Sequence, residues 1–140
     1  MMFALALAAN VSFTSIAKGD ISDQETARQA VARTSAEWQA LWRDHAPAGR
    51  LPAVDFDSQM VVGVFLGTMP SSGYGVEIVG VRTDGDALVV EYVQRQPKRD
   101  TLAVQILTQP FHLVTVTKHA GPVRFVRVPD PAPPPAPAQK

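Results

Sequence analysis

The pattern of hydrophobic and polar residues along the chain predicts a series of β-strands. Alternating or continuous apolar runs of strand length recur through the middle of the chain, and turn-forming residues separate them. These runs lie at 11–17, 60–66, 74–83, 86–93, 102–106, 111–117 and 123–128. The run at 60–66 is apolar throughout, which is typical of a strand buried on both faces. Asp84 and Gly85 predict a tight hairpin in which both turn residues adopt positive φ.

A single amphipathic helix is predicted just after residue 33. Thr34 and Glu37 have the spacing of a capping box, in which each side chain accepts a hydrogen bond from a backbone amide at the start of the helix. The following apolar positions form one helical stripe, at Trp38, Leu41, Trp42 and His45. Pro47 then ends the helix. The predicted fold class is α+β and β-rich: an antiparallel sheet or sandwich with one packed amphipathic helix.

Composition and charge exclude several classes of function. Thirteen basic and thirteen acidic side chains give a formal net charge of zero, so the chain has no positive excess for binding nucleic acid. The absence of cysteine excludes disulfides, thiolate nucleophiles and thiolate zinc sites. A hydrophobic content of 46% and 140 residues suit one folded domain.

The two ends of the chain differ in composition from the middle. Residues 1–9 are apolar and uncharged, and Ala6 and Ala8 fit a signal-peptidase pattern, so 1–10 is predicted to be a signal-peptide remnant or an apolar N-terminus. This run is too short to span a membrane. Residues 129–140 hold six of the twelve prolines and are predicted to form a disordered tail. We therefore expect a folded domain at 11–128 and an extracytoplasmic location, periplasmic or secreted.

No pattern typical of a catalytic or metal site is found. His45, His112 and His119 are too far apart for the usual close-spaced zinc ligands. Ser71 and Ser72 do not stand in the Gly-x-Ser-x-Gly pattern of a nucleophile elbow. We predict no catalytic residue, no metal and no cofactor, and hence no enzyme. The rival interpretation, a small hydrolase or metal enzyme, requires one of these histidines within hydrogen-bond reach of a hydroxyl or carboxylate inside a pocket.

The stretch 67–75 predicts a stiff loop between two strands. Glycines and Pro70 surround Tyr74, and a tyrosine on a stiff loop provides contact area for another protein at low entropic cost. The alternative is an ordinary connection in which Tyr74 folds back onto the core. The residues themselves leave both interpretations open.

Two segments resemble the PrcB C-terminal domain family, which is named for a protease complex subunit. The segment Gly-Thr-Met-Pro-Ser-Ser-Gly-Tyr-Gly-Val-Glu-Ile at 67–78 resembles the signature of that family, and 107–116 is similar to its Thr-x-Pro segment and the strand that follows. Met69 stands where the family usually has a basic residue. The resemblance covers most of 11–128. It implies a non-catalytic extracytoplasmic domain that associates with or stabilises a secreted protease.

The resemblance also indicates which residues would contact a partner. We expect the contact surface to contain Pro70, Gly73, Tyr74, Pro110, Phe111 and His112. A weaker resemblance, to chagasin-type cysteine-protease inhibitors, gives the alternative function: a peptidase inhibitor that presents loops 70–74 and 109–111. The expected partner is a protein such as a secreted protease, with no nucleic acid and no membrane span. The partner's identity and the oligomeric state are not defined by the residues.

Overall fold

The computed structural model describes residues 9–99 and 102–130. These residues form seven strands and one helix. In chain order they are β1 (Phe13–Gly19), β2 (Arg28–Ala32), α1 (Ser35–His45), β3 (Gln59–Phe65), β4 (Gly75–Asp84), β5 (Ala87–Arg95), β6 (Phe111–Thr117) and β7 (Val123–Arg127). One sheet has the strand order β1-β6-β3-β2, and the other has the order β4-β5-β7.

The elements pack in three layers with β3 in the middle layer. Met60, Val62 and Val64 of β3 face the three-stranded sheet and form one core with it. Val61 and Phe65 point the other way, into a second core under α1. Successive side chains of a strand alternate between faces, so β3 contributes to both cores, as its continuous apolar run predicts. The predicted class, a β-rich α+β sandwich with one packed helix, is confirmed.

The helix α1 begins at the predicted cap. Thr34 Oγ1 accepts a hydrogen bond from Glu37 N at 3.1 Å. The Glu37 carboxylate accepts from Arg33 N at 2.8 Å, one residue before the cap, whereas the usual capping box uses the amide of the cap itself. Trp38 and Leu41 of the apolar stripe are buried against the four-stranded sheet. The helix is therefore held by its stripe and by both halves of a slightly shifted capping box.

The strand predicted at 102–106 is wrong. This segment belongs to neither sheet, and Leu102, Val104 and Ile106 are 99%, 59% and 55% exposed. The alternation of side chains is present, but the described chain supplies no neighbouring strand on the outer side of the segment. An alternating pattern forms a regular strand only when a second strand pairs with it.

The hairpin and the last strand also differ from the prediction. The turn residues are Gly85 and Asp86, and only Gly85 has positive φ, at 61°. A glycine at the first of two turn positions suits a type II′ turn, in which the second residue keeps negative φ. β7 pairs with β5 in parallel, because the chain visits the other sheet through β6 before it returns. The four-stranded sheet is antiparallel throughout, as predicted.

The structure describes only a few residues of the two predicted terminal segments. Of the segment 1–10 the structure describes the last two residues, and Asn10 forms an isolated bridge with Arg82 of β4. Residues 1–8 and 131–140 lie outside the described residues. Within the part that is described, α1 is too short and too polar to cross a membrane.

Gly67, two residues after the end of β3, allows a test of the loop geometry. Its φ is +80°, and a Cβ atom there would lie 2.8 Å from Ala27 N and 2.9 Å from Glu25 O. We expect Gly67→Ala to lower the free energy of unfolding by about 2 kcal/mol, because positive φ strains any residue with a Cβ and the neighbouring backbone cannot move away cheaply. Urea denaturation measures this change.

Gly75→Ala is the matched control for this substitution. Gly75 has no positive φ, and a Cβ there would have no atom within 4 Å. We expect its unfolding free energy to change by less than about 0.5 kcal/mol. Equal losses in the two variants would contradict the geometry of the Gly67 turn.

Candidate functional site

The two loops that carry the predicted site residues run antiparallel to each other. These are loop 67–74, between β3 and β4, and segment 102–109, which precedes β6. Met69 N donates to Thr108 O at 2.7 Å, and Thr108 N donates back to Met69 O at 3.0 Å. The buried hydroxyl of Thr108 also donates to Ser71 O at 2.9 Å. Thr108, in the Thr-x-Pro segment, thus holds one loop against the other.

The other end of loop 67–74 is fixed by Ser72 and Gly73. Ser72 N donates to Val104 O at 3.0 Å, and Ser72 Oγ accepts from Val104 N at 2.8 Å. Gly73 has a φ of +94°, and a Cβ atom there would lie 3.0 Å from the Pro97 side chain. A glycine is required because the turn combines positive φ with close packing. The loop is therefore attached at both ends to segments that precede β6.

Three of the six predicted contact residues lie at the surface. Pro70 and Gly73 are exposed at the tip of loop 67–74, and Tyr74 is half-buried where the loop enters β4. The Tyr74 side chain is thus neither fully presented to solvent nor fully folded back onto the core, the two alternatives that the sequence left open. That these three residues bind a partner stays a prediction.

Pro110, Phe111 and His112 lie in the interior, which corrects the expectation that they are presented to a partner. Phe111 is 7% exposed and His112 is 2% exposed. The ring of Phe111 packs under α1 with its centroid 4.2 Å from that of His45. Residues that begin a central strand between two cores have no route to the surface in this conformation. Of the two predicted contact loops, 70–74 therefore reaches the surface and 110–112 does not.

His112 connects the two sheets. Its Nδ1 accepts a hydrogen bond from Ile78 N in β4 at 2.9 Å, and its Nε2 lies 2.8 Å from Ser15 Oγ in β1. Because Nδ1 accepts, Nε2 carries the proton and donates to the serine. Burial, followed by the charge of Lys18, lowers the pKa of His112 to about 4, against an opposing effect of Glu77. The imidazole is therefore neutral at pH 7 and bridges two layers.

His45 is a buried aromatic residue at the end of α1. Its Nδ1 lies 2.7 Å from Ser22 Oγ, and burial lowers its pKa while Asp23 opposes that shift. Its ring contacts those of Trp42, Phe65 and Phe111. The side chain points into the core, as expected for the last member of the apolar stripe of α1.

A comparison with family models tests the resemblance suggested by the two loops. Residues 60–117 match the model of the PrcB C-terminal family. The resemblance predicted from 67–78 and 107–116 is confirmed. The comparisons with curated proteins and with solved structures gave no match.

The matched segment, 60–117, corresponds to a continuous part of the fold. It begins in β3, contains the β4–β5 hairpin and both attached loops, and ends with β6. Met69, at the position where the family usually has a basic residue, packs against the core between the sheets.

The geometry gives no support to the rival enzyme interpretation. His112 and His45 both lie within hydrogen-bond reach of a serine hydroxyl, as that interpretation requires. His112 donates to Ser15, however, whereas a general base must accept the proton of its nucleophile. The pair of Ser22 and His45 is buried among aromatic rings.

The clefts and the acidic residues add nothing that favours catalysis. Two open clefts are described, and neither is lined by a histidine or a carboxylate. Within 9–99 and 102–130, no three histidine, aspartate or glutamate side chains lie close enough to hold a metal ion. The absence of catalytic residues, metal and cofactor stays a prediction.

Sequence reasoning missed one group of surface residues beside the PrcB signature loop. Four large apolar side chains are exposed in segment 102–107, at Leu102, Val104, Ile106 and Leu107. Their alternation is visible in the sequence and indicates burial in a sheet. Nothing in the sequence shows that the neighbouring strand is missing, and this decides whether the side chains form core or surface.

The low pKa of His112 predicts a pH dependence of stability. In the unfolded chain this histidine takes up a proton near pH 6.5, whereas in the fold it does so only near pH 4. The unfolded state therefore binds more protons between these values, and the unfolding free energy falls as the pH is lowered from about 6.5 to 4. The contribution of His112 is on the order of 3 kcal/mol. Urea denaturation at a series of pH values measures it.

The variant His112→Asn tests the assignment, with His119→Asn as its control. An asparagine oxygen can still accept from Ile78 N but does not titrate, so the dependence on pH should become shallower. A residual slope from His45 is expected, since its pKa is also lowered. His119 is partly exposed and belongs to neither core, so His119→Asn controls for the loss of a histidine as such. An unaltered slope in His112→Asn would contradict the buried neutral imidazole.

Proposed function

We propose that this chain is a non-catalytic protein-binding domain that associates with a secreted protease. Its contact surface consists of the tip of loop 67–74 and segment 102–107, called the loop surface below. The observation that carries the proposal is the exposure of four large apolar side chains in six consecutive residues of segment 102–107. Clustered exposed apolar residues on a folded domain are typical of sites that bind another protein.

Hydrogen bonds hold the two parts of the loop surface together, which suits recognition. Hydrogen bonds at Met69, Ser71 and Ser72 attach loop 67–74 to segment 102–109, so the two move as one unit. A partner that binds a preformed surface loses little conformational entropy. Tyr74 provides a half-buried aromatic ring beside the exposed tip.

The protease is proposed from the family match. The PrcB C-terminal family is named for a protease complex subunit, and the matched residues 60–117 contain the whole loop surface. The chagasin-like alternative requires a second presented loop at 109–111. Pro110 and Phe111 are buried, so the geometry favours association over this two-loop mode of inhibition.

The predicted location of the chain is part of the same proposal. The apolar run 1–9, with Ala6 and Ala8 in a signal-peptidase pattern, supports export. We expect the protein in the periplasm or medium of producing cells, with Ala9 as its first residue in N-terminal sequencing. Recovery of the full-length chain from the cytoplasm alone would contradict export.

Tyr74→Ala tests the loop surface directly. We expect the purified wild-type chain to capture a secreted protease from culture medium and periplasm, identified by mass spectrometry, and Tyr74→Ala to lose most of this capture. The variant should unfold at nearly the same urea concentration as the wild type. A loss on the scale of a truncated core aromatic, about 3–5 kcal/mol, would instead make Tyr74 a structural residue.

Leu51→Ser is the control for this experiment. Leu51 is also an exposed apolar residue, 38% accessible, but it follows α1 and lies outside the loop surface. The Leu51→Ser variant should capture the protease as the wild type does. Equal capture by all three proteins would move the site elsewhere, and failure of the wild type to capture any protease would refute the protease association.

A further inference from the structure

Segment 102–107 has the properties of a β-strand whose neighbour is missing. Leu102, Val104 and Ile106 alternate as in a strand, yet all three are more than half exposed. The backbone of Val104 faces loop 67–74, since its amide and its carbonyl both bond to Ser72. One side of the segment is thus already paired with its own domain.

The other side of the segment presents free backbone groups. In an extended chain the amide and carbonyl of successive residues point to opposite sides, so those next to Val104 point away from the domain. Among the described residues, the backbone groups of Ala103, Gln105 and Leu107 make no hydrogen bond. Ile106 N donates to Val104 O at 2.9 Å, which forms a tight turn at Gln105. Such an edge can accept a further strand from another chain.

The charge beside this edge is positive. Lys98 and Arg99 are exposed and form no ion pair within the described residues. Lys98 also lines an open cleft of about 540 Å³ together with Pro97 and Leu102. Arg95, in the wall of the same cleft, is already neutralised by Glu77 and Asp130. Within the described residues, a cation without an ion pair therefore lines this cleft at Lys98, and Arg99 follows it in the chain.

We propose that the partner adds an extended acidic and apolar peptide segment to the outer edge of 102–107. Its backbone pairs with the free groups of this edge, its apolar side chains cover Leu102 and Val104, and its carboxylates lie opposite Lys98 and Arg99. This inference rests on the proposed function and specifies the chemistry of the segment that is bound. A basic and apolar surface also suits an anionic membrane, but a lipid headgroup surface offers no ladder of amides and carbonyls.

The experiment starts with selection from a phage-displayed library of random twelve-residue peptides on the immobilised full chain. We expect enriched peptides with negative net charge and apolar residues at alternating positions. An enriched peptide is then synthesised with a fluorescent label, and its affinity for variants is measured by anisotropy. Vesicles of pure phosphatidylglycerol serve as the membrane probe.

The backbone edge is tested by Gln105→Pro against Gln105→Ala. Proline removes the outward amide and its fixed φ suits the tight turn at this residue, whereas alanine retains the amide. We expect Gln105→Pro to weaken peptide binding by about tenfold or more, and Gln105→Ala to remain within about twofold of the wild type. Equal binding by Gln105→Pro and Gln105→Ala would overturn the strand pairing.

The charge is tested by the double variant Lys98→Glu and Arg99→Glu against Arg50→Glu. Arg50 is exposed after α1 and makes no contact with the loop surface. The double variant should lose about tenfold or more in affinity, and Arg50→Glu should not. Enrichment of neutral or basic peptides that the double variant still binds would overturn the acidic assignment and leave the proposed function standing.

Two further outcomes separate this inference from the proposed function. If peptides are enriched no more on the wild-type chain than on the double variant Leu102→Ser and Val104→Ser, the inference is overturned. Protease capture that depends on Tyr74 would still support the proposed function in that case. Vesicle binding that is unaffected by Gln105→Pro, without enrichment of peptides, would replace the peptide with a membrane surface. Selective loss of acidic peptide binding in Gln105→Pro and in the double charge variant supports the inference.

Discussion

Burial of both faces of β3 is the constraint from which the rest of the packing follows. A strand that is apolar on both faces must be covered twice, and a chain of this length meets that need with α1 on one side and a second sheet on the other. The covering elements come from both sides of β3 in the sequence. Long-range contacts therefore dominate this domain, and β6, which pairs with β3 along its length, shares both cores.

Polar groups caught between these layers are satisfied by contacts that connect the layers. His112 accepts from Ile78 N and so joins the four-stranded sheet to β4. The Arg33 guanidinium donates to the carbonyls of His119 and Gly121 and joins β2 to the turn that leads into β7. No buried side-chain nitrogen or oxygen of the described residues lacks a partner. Because an unpaired buried polar atom costs roughly 1–3 kcal/mol, these contacts fix how the two sheets align.

The residues that resemble the PrcB signature have mainly structural roles, and the surface arises beside them. Gly67 and Gly73 supply positive φ, and Thr108 holds loop 67–74 against the segment before β6. The exposed apolar residues of 102–107 lie on the outer side of that attachment. In binding domains the scaffold commonly sets the position of a loop and the loop supplies the contacts.

Local patterns in the sequence account for most of the elements of this protein. The start of α1, the double burial of β3, the position of the hairpin and the relation to the PrcB C-terminal family follow from local spacing and short motifs, which physical rules connect directly to structure. The family motif also identified the loop that reaches the surface. These features depend on residues that are close together in the chain.

Whether an alternating segment has a neighbouring strand depends on the tertiary structure. Phe111 and His112 are predicted at the surface yet lie in the core, because β3 and β1 pair with β6 on both sides. Segment 102–106 has the same alternation and is exposed, because no described strand pairs with its outer edge. Period-2 alternation indicates that a segment can form a β-strand. Whether the side chains of that strand are buried depends on pairing with strands that are distant in the sequence. The surface of this protein is therefore a property of its strand pairing and not of its local pattern.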